Sequence, residues 1–363
     1  MYHLIASSSL RTLSESFCRS LTEVLPEDPL DPVTVIVPNR DLSRWLSMEI
    51  ARQQGVMGNI RYLLPSEWFW QRVRTLFPGL PKELPSDRGA LKWILFRILS
   101  EEQERKKLPA TLRSWLERQP AREQERLWDL SGVVASLFDQ YQIYRPDLVN
   151  DWSRGTLQGS RDEEKWQAFL WKRIDDKWKT LDDNSLKYHR GEFFDILYQD
   201  IVTNEPAEGS LILFNPGLIS PPLVRLFMEQ ARHCQVRHYI TCSFASVLGQ
   251  EGSWPEWENP MLSSMAGEQV ALISQLKKEA ARSSQTIDWI SLDRNDRGLP
   301  GSQPTLLGKV RHSIHTNRPM PKGLADDGTI EVHSCHSTLR EVETLYDYLL
   351  RQFEELEDLR ADQ

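Results

Sequence analysis

The chain has 363 residues, 40% hydrophobic and 26% charged. It is too long for one ordinary hydrophobic core and too apolar to stay disordered, so two or three packed units are expected. Lys plus Arg total 44 against 52 Asp plus Glu, a net charge of −8, which excludes a basic protein that coats nucleic acid electrostatically but not a narrow binding channel.

In chain order, YHLIA at residues 2–6 is a short apolar run, and Leu10, Leu13, Phe17, Leu21 and Leu25 follow at close to helical period. VTVIV at 33–37 is β-branched and almost continuous, the pattern of a strand buried on both faces. Pro38 ends it, and Asn39 or Asp41 can cap a helix carrying Leu42, Trp45, Leu46 and Ile50. Gly55 and Gly58 break that helix, residues 60–64 read as a third strand, and Ser66 is expected to cap a helix through Trp68, Phe69, Trp70 and Val73. Alternating buried strands and helices predict a parallel α/β sheet.

From about residue 85 to 205 the strand signal disappears. Helical periodicity runs over 90–99, 112–116, 121–144, 163–178 and 192–202, an all-helical insertion. Strand signals return at 211–214 (LILF) and 236–240, with Pro221 and Pro222 leading into a helix between them. Residues 244–257 read as loop, 259–278 as helix, 287–290 as strand, 293–303 as a mobile Gly- and Pro-rich loop, and 306–315 as helix. A last strand at 330–334 and a helix from Thr338 to about Leu359 begin without sheet neighbours to follow them, which reads as truncation, with a C-terminal helix that docks back on the parent domain as the alternative.

Four scattered cysteines (Cys18, Cys234, Cys242, Cys335) make no disulfide framework and suit a reducing compartment. The opening residues lack a basic segment ahead of an apolar core, and no run approaches the ~20 apolar residues that cross a bilayer. A cytoplasmic protein without membrane contact is expected. Ten of the 13 Trp fall between Trp45 and Trp178.

A phosphate-binding loop needs glycines, a Lys and a Ser/Thr. The loop after the first run reads ASSSLRTL, with neither Gly nor Lys, although Ser7–Ser9 and the helix start could still donate to an anion. VIVPNRDLSRWL has no GK[ST] either, and LILFNPGLISPP lacks the acids that would hold Mg²⁺. No ATPase or nuclease activity of the chain itself is expected, and no catalytic residue is assigned.

The blocks VIVPNRDLSRWLSMEIARQQGVMGNIRYLLPSEWFW, VASLFDQYQIYRPDLVNDW, KWQAFLWKRI, YHRGEFF and IEVHSCHSTLREVETLYDYLL, in order and spacing, resemble the N-terminal part of the RecC family, the gamma subunit of exodeoxyribonuclease V. The resemblance implies an α/β fold of the P-loop NTPase, helicase-like type with a large all-helical insertion. Residues 1–84 and 206–325 would form the two parts of the helicase-like domain, 85–205 the insertion, and 326–363 the opening of a second helicase-like domain. It further implies a non-catalytic scaffold for RecB-like and RecD-like subunits in double-strand break repair, which guides the 3′-terminated single strand and scans it for Chi. ATP and Mg²⁺ would be used by those partners, with no cofactor in this chain. Family tunnel positions fall on Leu64, Trp70, Leu137, Asp139, Arg145 and Arg190. Trp70 offers a π-face to a base, Asp139 an acceptor to a cytosine amino group, and Arg145 and Arg190 donors to phosphates or base edges.

Pro38, Arg40 and Arg44 replace the small polar side chains of the family's best-known member. Arg40 and Arg44 can still contact a strand, whereas Pro38 has no N–H to read an edge. Strand transit is expected, and an altered Chi sequence and no sequence recognition both stay open.

Each position also has an ordinary structural reading. Trp70 can be core, Asp139 can salt-bridge, Arg145 can bond the last helical carbonyls, Arg190 can cap a helix, and Arg40 with Arg44 can be a solvated helix face. His333, Cys335 and His336, with His312 and His315 upstream, lack zinc spacing, and no metal site is assigned. A catalytic carboxylate at Glu341 or Glu343 is not expected. Two rival readings remain: an AddB-like helicase-nuclease subunit, which would need a Gly-rich lysine loop or a four-cysteine cluster, and an interaction scaffold without DNA contact. The charge is unevenly spread: residues 1–80 sum to zero, 81–205 to −2 and 206–363 to −6. Most acidity therefore lies outside the region that holds every proposed strand contact.

Overall fold

The computed structural model describes residues 1–21, 31–56, 58–180, 187–204, 210–217, 219–244, 257–293, 305–320, 322–356 and 359. Six parallel strands alternate with helices on either side of a helical segment. The first part holds β1 (Tyr2–Ser7), α1 (Leu10–Leu21), β2 (Val33–Ile36), α2 (Arg40–Gln54), β3 (Ile60–Leu63) and α3 (Pro65–Leu76). The helical segment holds α4 (Arg88–Ser100), α5 (Glu102–Arg105), α6 (Ala110–Glu117), α7 (Glu123–Tyr144), α8 (Pro146–Arg154), α9 (Asp162–Trp178) and α10 (Arg190–Thr203). Then come β4 (Ser210–Phe214), α11 (Pro221–Gln230), β5 (Gln235–Thr241), α12 (Pro260–Met265), α13 (Gly267–Ser283), β6 (Ile287–Ser291), α14 (Leu306–His315) and α15 (Thr338–Glu355).

The sheet order is β3-β2-β4-β5-β1-β6. β2 pairs with β3 on one side and β4 on the other, in register Val35↔Tyr62 and Val35↔Ile212, so the helical segment leaves after β3 and re-enters at β4, the two strands that flank β2. The inner strands β1, β2 and β4 are buried along most of their length, as strands covered on both faces are, whereas the edge strands β3 and β6 expose Arg61 and Asp288. On one face, Leu13, Phe17, Leu46 and Ile50 of α1 and α2 pack on Ile5, Val33, Val35, Ile212 and Phe214. Elsewhere α11 lies against β5, α10 and α13, and α3 packs on α10. The helical segment has its own core of Leu91, Leu95, Phe138, Trp152, Trp171 and Ile174, which explains the crowding of Trp there.

Local signals hold at several boundaries. Asn39 caps α2, its side chain accepting from Leu42 N at 2.8 Å, and Gly55 closes it in the left-handed region at φ 80°. The expected Ser66 cap is corrected: α3 starts one residue earlier at Pro65, whose missing N–H suits the first helical position. Glu67 then takes the Leu64 N–H at 2.8 Å. The helix expected over 259–278 is interrupted at Ala266 into α12 and α13, and α13 continues to Ser283. Leu25, most of the loop expected at 244–257 and residues 294–303 fall outside the described residues.

The chain divides into two compact units, residues 1–254 with 265–294, and residues 255–264 with 295–363. Sheet and helical segment belong to the first, and α14 groups with the later residues, so this division does not coincide with a boundary near 325. In the second unit, buried Asn259 donates to Ser313 Oγ at 2.9 Å and to Arg318 O at 2.8 Å. The strand expected at 330–334 is absent: these residues are coil and Val332 is 91% exposed. Among the described residues this segment pairs with no strand, and an isolated extended segment is not stable by itself. α15 is capped by Ser337, ends at Glu355 rather than Leu359, and carries Leu339, Val342, Tyr346, Leu349 and Phe353 exposed. No helix among the described residues is long and apolar enough to cross a membrane.

Candidate functional site

The helix α3 sorts its three consecutive aromatics by direction. Trp68 and Phe69 are buried against Phe227 (4.8 Å between ring centroids) and Phe194 (4.4 Å), which fixes α3 on α11 and α10. Trp70 is half-buried: its ring packs edge-on against Phe69 (5.1 Å) and Phe193 of α10 (5.9 Å), and it lines a hollow of about 510 Å³ with Ser66, Glu67, Gln71, Arg74 and Thr75. The Arg74 and Arg190 guanidinium carbons lie 5.7 and 5.5 Å from its ring centroid, within cation–π range.

Arg190 is the first residue of α10, and the turn that presents it is built from buried polar groups. Gln142 Oε1 accepts the Arg190 N–H at 3.1 Å, and Glu192 takes the His189 N–H at 3.0 Å. His189 is fully buried beside Trp171, and burial pushes its pKa down to about 3, so the ring is neutral and adds no cation here. Gly191 lets α10 approach α8: a Cβ there would stand 2.9 Å from Val149 Cγ2 and 3.0 Å from Asn150 Oδ1.

The Arg190 side chain, 18% exposed, reaches Asp139 Oδ1 of α7 and Asp87 Oδ1 before α4, each at 3.3 Å. Asp87 Oδ2 is taken by the Leu84 N–H at 2.8 Å. Asp139 Oδ2 has no hydrogen-bond partner among the described residues, so Asp139 offers one acceptor oxygen, steadied by the guanidinium. One cation between two carboxylates leaves the triad with a formal charge of −1. Such a site favours amino groups of bases over phosphate.

The other expected positions sort as follows. Arg40 is held by Glu67 of α3 and the Tyr62 carbonyl (3.3 Å), beside Leu64, whose N–H the same Glu67 takes. Arg40 and Leu64 therefore meet at the N-terminal end of α3 through Glu67, which also lines the hollow beside Trp70. Arg44, one turn along α2 from Arg40, is exposed and has no ion-pair partner among the described residues. Leu137 is half-buried two residues before Asp139, on a different face of α7. Arg145 stands apart: it is six residues, about 9 Å of rise, from Asp139. Its backbone N–H bonds Tyr141 O at 2.8 Å, while its side chain donates to Gln158 Oε1 at 3.1 Å. It lines a separate crevice of about 600 Å³ with Tyr141, Trp152, Arg161 and Gln167.

Sequence reading missed Asp87, Arg74 and Glu67. Asp87 before a helix reads as a cap, and only its spatial neighbour shows its second partner. Arg74 had a signal, since it lies at i+4 from Trp70.

At the carboxyl end of β1, where a phosphate would be cradled, the chain supplies its own carboxylate. Asp293 accepts from Ser7 Oγ at 2.6 Å and from Ser8 N at 2.7 Å, while Ser9 caps α1 through Thr12 N at 3.2 Å. Among the described residues, no group of three or more His, Cys, Asp or Glu is placed to hold a metal ion.

A family model described as "RecC, N-terminal domain" matches residues 2–316. The chain belongs to the RecC family. It is 26% identical over 383 residues to the RecBCD enzyme subunit RecC of Escherichia coli, covering 91% of this chain and 33% of that protein. The Haemophilus influenzae subunit of the same name is 23% identical over 413 residues (97% and 37%), and the Mycolicibacterium smegmatis one 24% over 360 residues (96% and 31%). The chain thus spans about a third of the length of the curated RecC relatives it matches. The α/β sheet with its helical segment is the part of this RecC family member that the family model covers.

Proposed function

We propose that this chain is the strand-handling, non-catalytic N-terminal portion of a RecC-type subunit that works in DNA repair and recombination with RecB-like and RecD-like partners in the cytoplasm. The 3′-terminated strand passes along the strip from Arg40 and Leu64 past Trp70 to Arg190 and Asp139, with Arg44 and Leu137 bordering it. Arg145, which lines a separate crevice, meets the strand at a separate point. The observation that carries this reading is that Arg190 joins side chains of three helices: its guanidinium stands 5.5 Å from the Trp70 ring centroid and bonds Asp139 at 3.3 Å, while Trp70 itself borders an open hollow along α3. An aromatic face for stacking, a fixed acceptor for a base amino group and flanking cations are the parts a single-strand channel needs.

The fold is read as a helicase-like P-loop sheet, with 1–84 and 206–325 as its two parts, 85–205 as the insertion, and 326–363 as the start of a second such domain. Support comes from the parallel sheet with β1 in its interior, between β5 and β6. Asp293, which follows β6 and bonds the β1–α1 loop, supports an ATP-independent role, since a carboxylate already takes the donors a phosphate would use. ATP and Mg²⁺ then belong to the partner subunits. The test is a salt-dependent titration of the chain with single-stranded DNA beside an ATP-hydrolysis assay. Trp70→Ala is expected to weaken binding several-fold and Asp139→Asn to change base preference, with no ATP turnover. Equal affinities and preferences would remove this strip from the strand path, and steady phosphate release would refute the non-catalytic reading.

A further inference from the structure

A second aromatic surface lies on α4 and α7, outside every position considered so far. Trp93 is 63% exposed, unusual for the largest apolar side chain. It is locked in place from beneath: its ring centroid is 4.5 Å from Trp128 and 6.3 Å from Phe96, and Phe96 and Trp128 are 5.5 Å apart. Lys92 Nζ sits 3.7 Å from the Trp128 centroid, and its stem lies so close to Gly132 that a Cβ there would stand 3.3 Å from Lys92 Cε.

Cations predominate around these rings. α4 carries Arg88, Lys92 and Arg97 and no acid, and among the described residues none of the three has a carboxylate partner. On α7, Glu123 and Glu125 are tied to Arg105 and Arg122, which leaves Asp129 as the unpaired acid near the rings among the described residues. Trp128 also shares a face of α7 with Asp139: eleven residues are three turns, about 16 Å of rise. The rings therefore continue the strip that begins at Trp70.

We propose that Trp93, backed by Trp128 and Phe96, is a second base-stacking platform for single-stranded nucleic acid, with Lys92, Arg88 and Arg97 serving its backbone. This rests on the reading that the chain handles a single strand. A planar ring held against rotation stacks any base, and unpaired cations beside it match a polyanion rather than a mixed-charge protein surface.

The test uses the 363-residue chain and a fluorescein-labelled dT20 strand. Trp93→Ala weakens binding about fivefold or more, the factor that corresponds to ~1 kcal/mol per stacked base. Trp93→Phe keeps most of the affinity. An abasic strand of the same length binds wild type and Trp93→Ala alike. Lys92→Gln with Arg97→Gln lowers the slope of log affinity against log salt by about 0.7 per lost contact. Equal dT20 affinities for wild type and Trp93→Ala overturn the platform and assign the exposed rings to a protein contact. Trp70→Ala separates the two readings. Loss there but not at Trp93 keeps the first strip and removes the platform, and loss at Trp93 alone does the reverse. A wild type that does not bind dT20 defeats both.

Discussion

Replacing Arg190 with Ala tests whether this arginine faces the strand or serves the fold. The change removes one guanidinium from between Asp87 and Asp139 and from beside Trp70. The three side chains are 18%, 33% and 25% exposed, so the pairs are neither surface bridges, worth ~0–1 kcal/mol, nor fully buried ones, whose disruption costs ~3–5 kcal/mol. An intermediate cost of about 2 kcal/mol for the ion pairs, with about 0.5–1 kcal/mol for the cation–π contact, gives roughly 2–3 kcal/mol. Urea unfolding followed by Trp fluorescence measures it, because Trp70 and the helical-segment tryptophans report on this region. Asp139→Asn made alone and together with Arg190→Ala completes a double-mutant cycle with an expected coupling of about 1 kcal/mol. In single-strand binding, the same Arg190→Ala chain should keep nearly the wild-type salt slope, since a guanidinium neutralised by two carboxylates releases few counterions. A stability loss below about 0.5 kcal/mol, joined to a slope reduced by about 0.7, would refute the triad and make Arg190 a plain phosphate contact.

Two further predictions follow from buried groups. Gly191→Ala should destabilise the first unit by about 1–3 kcal/mol through overpacking against Val149 and Asn150, whereas Gly89→Ala, where a Cβ meets open space, should not; equal effects in urea would refute the close approach. His238, fully buried with its Nδ1 2.8 Å from the Tyr2 hydroxyl, is held at a pKa of about 3 by burial, as is His189. The unfolded chain takes up these protons near pH 6.5, so their contribution is complete above that pH. It falls by up to ~1.4 kcal/mol per pH unit for each ring as pH drops toward 3. His238→Gln should flatten the change in urea midpoint between pH 7.5 and pH 5, and an unaltered pH dependence would count against buried neutral imidazole.

Much of the fold was legible because parallel strands leave a plain signature. VTVI at β2 is apolar on both faces because helices cover both, and Asn39 and Gly55 mark the ends of α2 with the chemistry their positions require. α8 was also legible but went unread: Pro146 stands at its first position and Gly155 closes it at φ 82°. Periodicity could not say which of Trp68, Phe69 and Trp70 faces outward, since adjacent residues on a helix differ by only 100° and both neighbours of α3 come from distant sequence. The Asp87–Arg190–Asp139 triad joins residues 103 and 51 positions apart, which no local pattern encodes. Residues 330–334 have a strand's composition but no ladder, and composition alone does not make a strand.

The sheet order also sets a timetable for synthesis. β1 emerges first, yet its neighbours β5 and β6 pair with it through residues 234 and 285 positions later. At ~5–20 residues per second, about 12 to 57 s pass before those partners exist. The helical segment needs no such wait, because α4, α7, α8 and α9 contact one another within less than a hundred residues. It can condense on the ribosome while β1, an apolar strand with both edges bare, is still unpaired. An interval of that length exposes the nascent chain to edge-to-edge aggregation. Yield of soluble protein should therefore depend more on slower growth temperature and chaperone supply than on the stability of the finished fold.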